Sequence, residues 1–159
     1  MRDNFAPDIS VYAADNVPDA DAKTDFSRME LFVELKFAET SDPFRDPKGP
    51  RRPQAEKFRF ENDSKVSQLN RGRLCSYAAA HVHTFTLSKC GRSARFIRLD
   101  RSGATVTQSF DYIQQPDILA HFFLRSAHLN HSQRGYDTSV SQASPEDPTD
   151  PVCRKTFVR

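Results

Sequence analysis

The chain has no tryptophan, only five glycines and three cysteines among 159 residues, and no apolar run of membrane-spanning length. Cys75, Cys90 and Cys153 are too few and too scattered for a disulfide framework or a thiolate zinc site, and the odd count leaves at least one thiol free, so a reducing compartment is expected. Charge of one sign is also missing. The 23 basic and 21 acidic residues leave a net charge of +2, which sets up no global field toward nucleic acid or a membrane. Met1 to Asn4 leads into Pro7-Asp8 without the apolar segment of a secretory signal, so a soluble, intracellular protein, cytoplasmic or nuclear, with no membrane association is predicted.

What apolar material there is, 37% of residues against 28% charged, allows one modest core. Thirteen phenylalanines concentrate it, chiefly Phe32, Phe37, Phe85, Phe96, Phe110, Phe122 and Phe123. Ile9 to Ala14 and Met29 to Phe37 read as strands, the second because Leu31, Val33 and Leu35 alternate with Phe32, Glu34 and Lys36. Residues 38–63 carry Pro43, Pro47, Pro50 and Pro53 among clustered Arg45, Lys48, Arg51 and Arg52, which predicts a long Pro/Arg-rich loop. Asp63 or Ser64 then caps a helix running to Ala80, with Val66, Leu69, Leu74, Tyr77 and Ala78 as its apolar stripe. His83 to Ser88 is a strand that enters a hairpin over Gly91 to Tyr112. There Ala94 to Leu99 alternates, Asp100-Arg101-Ser102-Gly103 supplies the turn, and Ala104 to Val106 with Phe110 to Tyr112 returns as one strand. Pro116 opens a second helix whose face is marked by Ile118, Leu119, Phe122, Phe123 and Leu129. The predicted fold is α+β, a small mixed sheet with flanking helices over residues 1–132, followed by a disordered linker or tail over 133–159.

Three clusters carry candidate chemistry. Pro7-Asp8 at one strand start and Glu34-Leu35-Lys36 in another supply two carboxylates for a hard cation, Mg2+ or Mn2+, and an ammonium beside them. Glu34 and Lys36 share a strand face because side chains alternate with a period of two. The same residues also suit an exposed Glu–Lys pair on an edge strand. His81-x-His83 and His128-x-x-His131 have spacings that bind zinc but lack neighbouring ligands, and structural roles are predicted for them. Arg73, Arg98 and Arg101, among other arginines, are candidates for phosphate contact, against the alternative of a solvated charged face.

The Asp8, Glu34 and Lys36 pattern resembles the PD-(D/E)xK nuclease superfamily, whose members often follow it with a Gln-x-x-x-Tyr helix. Here Arg73 stands at the glutamine position and Tyr77 at the tyrosine. A longer ordered set, PDISVYAAD, MELFVELKF with the following DPF, RGRLCSYAAA, FTLSKCGRSARFIRLDRSGATVTQSFDY, ILAHFFLRSAHL and RGYDTSV, resembles the region that precedes the lobes of fungal-type protein kinases. That resemblance implies a nuclease-like N-terminal region whose partners are the kinase lobes, which Leu119, Phe122 and Phe123 would partly face. The chain itself holds no Gly-rich GxGxxG loop, Val-Ala-x-Lys strand, His-Arg-Asp loop or Asp-Phe-Gly site, so it cannot position ATP or a catalytic base and no cofactor for phosphoryl transfer is expected. The alternative functions are a divalent-metal-dependent nuclease at Asp8, Glu34 and Lys36, or nucleic-acid binding without cleavage.

Overall fold

Ile9–Tyr12 (β1) pairs antiparallel with Met29–Lys36 (β2), placing Ile9 opposite Val33 and Val11 opposite Leu31 in a computed structural model that describes residues 6–18, 24–47, 58–78 and 81–136. β2 runs parallel to His83–Cys90 (β3), with Glu34 level with Ser88. Parallel neighbours need a crossover, and this one contains the helix Lys65–Ala78 (α1). Ser93–Asp100 (β4) then pairs antiparallel with β3 and Gly103–Val106 (β5) with β4, giving the order β1-β2-β3-β4-β5. The fold is α+β, a six-stranded mixed sheet with two helices.

β2 is an inner strand, and its residues from Met29 to Glu34 are buried or nearly so because both sheet faces are covered. On one face Phe32, Ile97 and Leu99 pack with Phe44 and with Leu74 and Tyr77 of α1. On the other, Leu31, Val33, Leu87, Ala94 and Phe110 meet Ile118, Leu119 and Phe122 of the helix Pro116–Ala127 (α2). Phe122 lies flat on Phe96, ring centroids 3.9 Å apart, which fixes α2 against β4.

The structure corrects the sequence reading in several places. The buried face of α1 is Ser67, Asn70, Leu74 and Tyr77, whereas Val66 and Leu69 are exposed. Polar residues win because they hold a 3-10 turn, Glu39–Ser41. The Ser67 hydroxyl donates to the Thr40 and Asp42 carbonyls at 3.2 and 3.1 Å, and the Asn70 amide donates to the Ser41 carbonyl at 3.1 Å. Ser64 is the cap, its hydroxyl accepting from Ser67 N–H at 3.1 Å, and the helix ends at Ala78, with 79–80 outside the described residues. The returning hairpin strand is two strands: β5, then Phe110–Asp111 (β6), which pairs with the opposite end of β4. Phe37, one residue past β2, is fully exposed, and Phe123 is 40% exposed.

The loop expected over 38–63 contains that 3-10 turn and a bridge between Phe44 and Glu61, with 48–57 outside the described residues. The boundary expected at residue 133 is also displaced. Arg134 pairs with Glu30 and donates to the Leu129 and Ala127 carbonyls, and the Tyr136 hydroxyl donates to the Arg28 carbonyl at 2.8 Å. Residues 137–159 lie outside the described residues.

Gly135 makes this docking feasible. Its φ is +92°, and a Cβ there would lie 1.7 Å from the His83 carbonyl oxygen. Gly135→Ala is therefore expected to cost about 1–3 kcal/mol, the range for forced backbone strain, and to release segment 129–136 from β3. Amide exchange at Val82, which donates to the Gly135 carbonyl at 3.3 Å, would quicken. Unchanged protection there would mean that the contact contributes nothing.

Candidate functional site

The pairing of β1 with β2 brings Asp8 level with Glu34. Asp8 Oδ2 accepts the Leu35 N–H at 2.7 Å, which orients that carboxylate although the residue is exposed. Strand alternation puts Glu34 and Lys36 on one face, and the Lys36 ammonium donates to Glu34 Oε1, donates to the Leu35 carbonyl at 3.1 Å, and lies 3.6 Å from Asp8 Oδ2. Arg73, from α1, approaches Glu34 Oε1 at 3.7 Å. Asp8, Glu34, Lys36 and Arg73 thus form one cluster. The edge-strand alternative fails, since β2 lies between β1 and β3 and Glu34 is 1% exposed.

Glu34 has one oxygen that the cluster leaves unused. Oε2 is buried without a hydrogen-bond partner among the described residues, and so is Thr86 Oγ1 on β3, opposite Phe32. An orphaned buried acceptor is expensive, and a hard cation takes such oxygens. The donor set fits magnesium or manganese in kind, because these ions bind through one or two carboxylates and keep water or substrate phosphate for the remaining positions. No trio of His, Cys, Asp or Glu gathers at metal-binding distance among the described residues. Tyr77 closes the floor. Its hydroxyl donates to the Ala6 carbonyl at 2.8 Å, and burial, followed by the negative charge of Glu34, pushes its pKa upward.

The phosphate-contact candidates are dispersed. Arg73 belongs to the α1 side of the sheet, while Arg98 shares the parity of Phe96 on the α2 side and pairs with Asp100 at 3.0 Å. Arg101 is exposed in the β4–β5 turn. The histidines dock the segment after α2: His83 Nε2 lies 3.0 Å from the Gln133 carbonyl, and His81 and His131 both meet the Tyr136 ring edge-on.

One cluster escaped the sequence reading. Arg95 is 3% exposed, and its guanidinium donates to Asp42 at 2.6 Å, to Asp46 at 2.7 and 3.1 Å, and to the Thr107 carbonyl at 3.0 Å. The signal was its parity with Ile97 and Leu99, which assigns an arginine to the core face and demands carboxylate partners there. Among the described residues no helix is long and apolar enough to cross a membrane. No family model, curated protein or solved structure matches this chain.

Proposed function

We propose that this chain is a non-catalytic region of a fungal-type protein kinase, of the kind that precedes the kinase lobes and packs on or regulates them. The observation that carries this reading is that separate pieces of the resemblance meet in space. Asp42 and Phe44 of DPF contact Arg95, Ile97 and Leu99 of the long hairpin segment, and Leu74 and Tyr77 of RGRLCSYAAA pack on Phe32 of MELFVELKF. Such mutual dependence is what a shared folded unit requires. Leu119 and Phe122 turn inward to the sheet, so Phe123 and Leu124, 40% and 59% exposed, are the groups left on α2 for the lobes. The test is the transcript read past Arg159. In-frame His-Arg-Asp and Asp-Phe-Gly motifs support the reading, a stop codon opposes it, and the pure chain is expected to transfer no phosphate from ATP.

A second reading rests on the convergence of Asp8, Glu34 and Lys36. It is phosphodiester cleavage dependent on Mg2+ or Mn2+, the cation held by the two carboxylates and supplying Lewis acidity, with Lys36 placed to steady charge on a phosphate. Glu34→Ala and Lys36→Ala are each expected to reduce cleavage of DNA or RNA by at least about 100-fold, the scale set by loss of an electrostatic catalytic group. No cleavage with either metal would reject the reading. Binding that survives both substitutions and weakens steeply with salt would mark nucleic-acid recognition without cleavage.

A further inference from the structure

A cavity of about 400 Å³ opens between α1 and the β4–β5 hairpin, and its lining includes none of Asp8, Glu34 and Lys36. Phe44, Leu74, Ile97 and Leu99 make it apolar, and its volume is that of a small-molecule site. His81 supplies a polar group. Its Nε2 is buried without a hydrogen-bond partner among the described residues. Burial lowers the pKa of the imidazole and favours its neutral form. Nε2 is thus a buried polar atom that a ligand hydroxyl can satisfy.

The charges around the cavity are unequal in availability. Arg71 Nη1 lies 2.9 Å from Glu61 Oε2 but is buried without a hydrogen-bond partner among the described residues, and Asp100 accepts from Arg98, Ser102 and Gly103. Arg101 lines the same cavity and has no ion-pair partner among the described residues. We infer that this cavity binds a small aromatic carboxylate bearing a hydroxyl, its ring on the apolar lining, its hydroxyl donating to His81 Nε2 and its carboxylate facing Arg101.

Cys75 reports occupancy, because it lines the cavity and is exposed. Cys90 is the internal control, buried with its thiol pushed up to about 11 by burial. The full chain would be labelled with iodoacetamide and each cysteine followed by peptide mass mapping, with para-hydroxyphenylpropionate as the probe. At a few millimolar, near the affinity a ligand of this size reaches, the probe is expected to slow Cys75 labelling roughly threefold or more. Its para-methoxy counterpart, which lacks the donor, should protect little. Arg101→Gln on the exposed turn should weaken protection, and Ala104→Phe, which fills the cavity from β5, should abolish it. Equal Cys75 labelling with and without the probe in folded wild-type protein would overturn the assignment, as would protection that ignores both the methoxy change and Ala104→Phe.

Discussion

Replacing Arg95 with Met is expected to lower the unfolding free energy by about 3–5 kcal/mol, the range for stranding buried partners of a removed charge. Asp42 and Asp46 would lose their guanidinium, and the Thr107 and Phe44 carbonyls a donor. The side chain is 4% exposed, so solvent cannot replace it. Arg95→Lys should recover only part of the loss, since one ammonium cannot reproduce a fork spread over both carboxylates. Urea unfolding measures both, and a variant within about 1 kcal/mol of wild type, the scale of a surface pair, would remove the cluster from the stability of the fold.

A pH arm follows from Asp46. Burial alone would raise its pKa, but hydrogen bonds from Arg95 and Ser109 outweigh it and hold the group below its ordinary value of 3.8. A depressed folded pKa contributes stability that is fully present above the unfolded value and is lost as pH falls through the folded one. Wild type should therefore lose this contribution below about pH 3.8, while Arg95→Met shows a flatter acid limb.

Arg95 also marks where the sequence was legible and where it was not. Strand period and turn chemistry located β2, β3 and β4 and the Asp100 turn, where Asp100 Oδ1 accepts from Ser102 and Gly103 as expected. Period-two alternation also placed Glu34 on the face of Lys36, and Asp8, from the start of β1, lies 3.6 Å from the Lys36 ammonium. The buried face of α1 was not legible, because Ser67 and Asn70 are interior only where the carbonyls of the 3-10 turn await them. Nor was β6. Thr107 is still bonded to Phe96 of β4 at 3.0 Å, and past it the Ser109 N–H donates to Asp46 at 3.2 Å, a carboxylate 63 residues away. Local pattern cannot encode a partner at that separation.

Glu34 and Lys36 are expected to respond in opposite directions to truncation. Lys36→Met leaves the Glu34 carboxylate, 1% exposed, with Arg73 at 3.7 Å as its remaining cation, and should destabilise by about 3 kcal/mol. Glu34→Leu strands nothing, because Lys36 keeps Asp8 at 3.6 Å and the Leu35 carbonyl, and it removes the orphaned Oε2. It should be neutral or stabilise by about 1–2 kcal/mol, as when buried ions give way to packed hydrocarbon. The double variant should then recover most of the loss seen in Lys36→Met. If Glu34→Leu is the more stable protein, the carboxylate is not a structural necessity, and the cation-binding reading proposed above then has a direct test. Manganese separates the two cases: it should raise the thermal midpoint of wild type and leave Glu34→Leu unmoved, since only a ligand of the native state shifts the equilibrium. An equal shift in both proteins would place the cation elsewhere, and a Glu34→Leu loss as large as that of Lys36→Met would make the carboxylate a structural group.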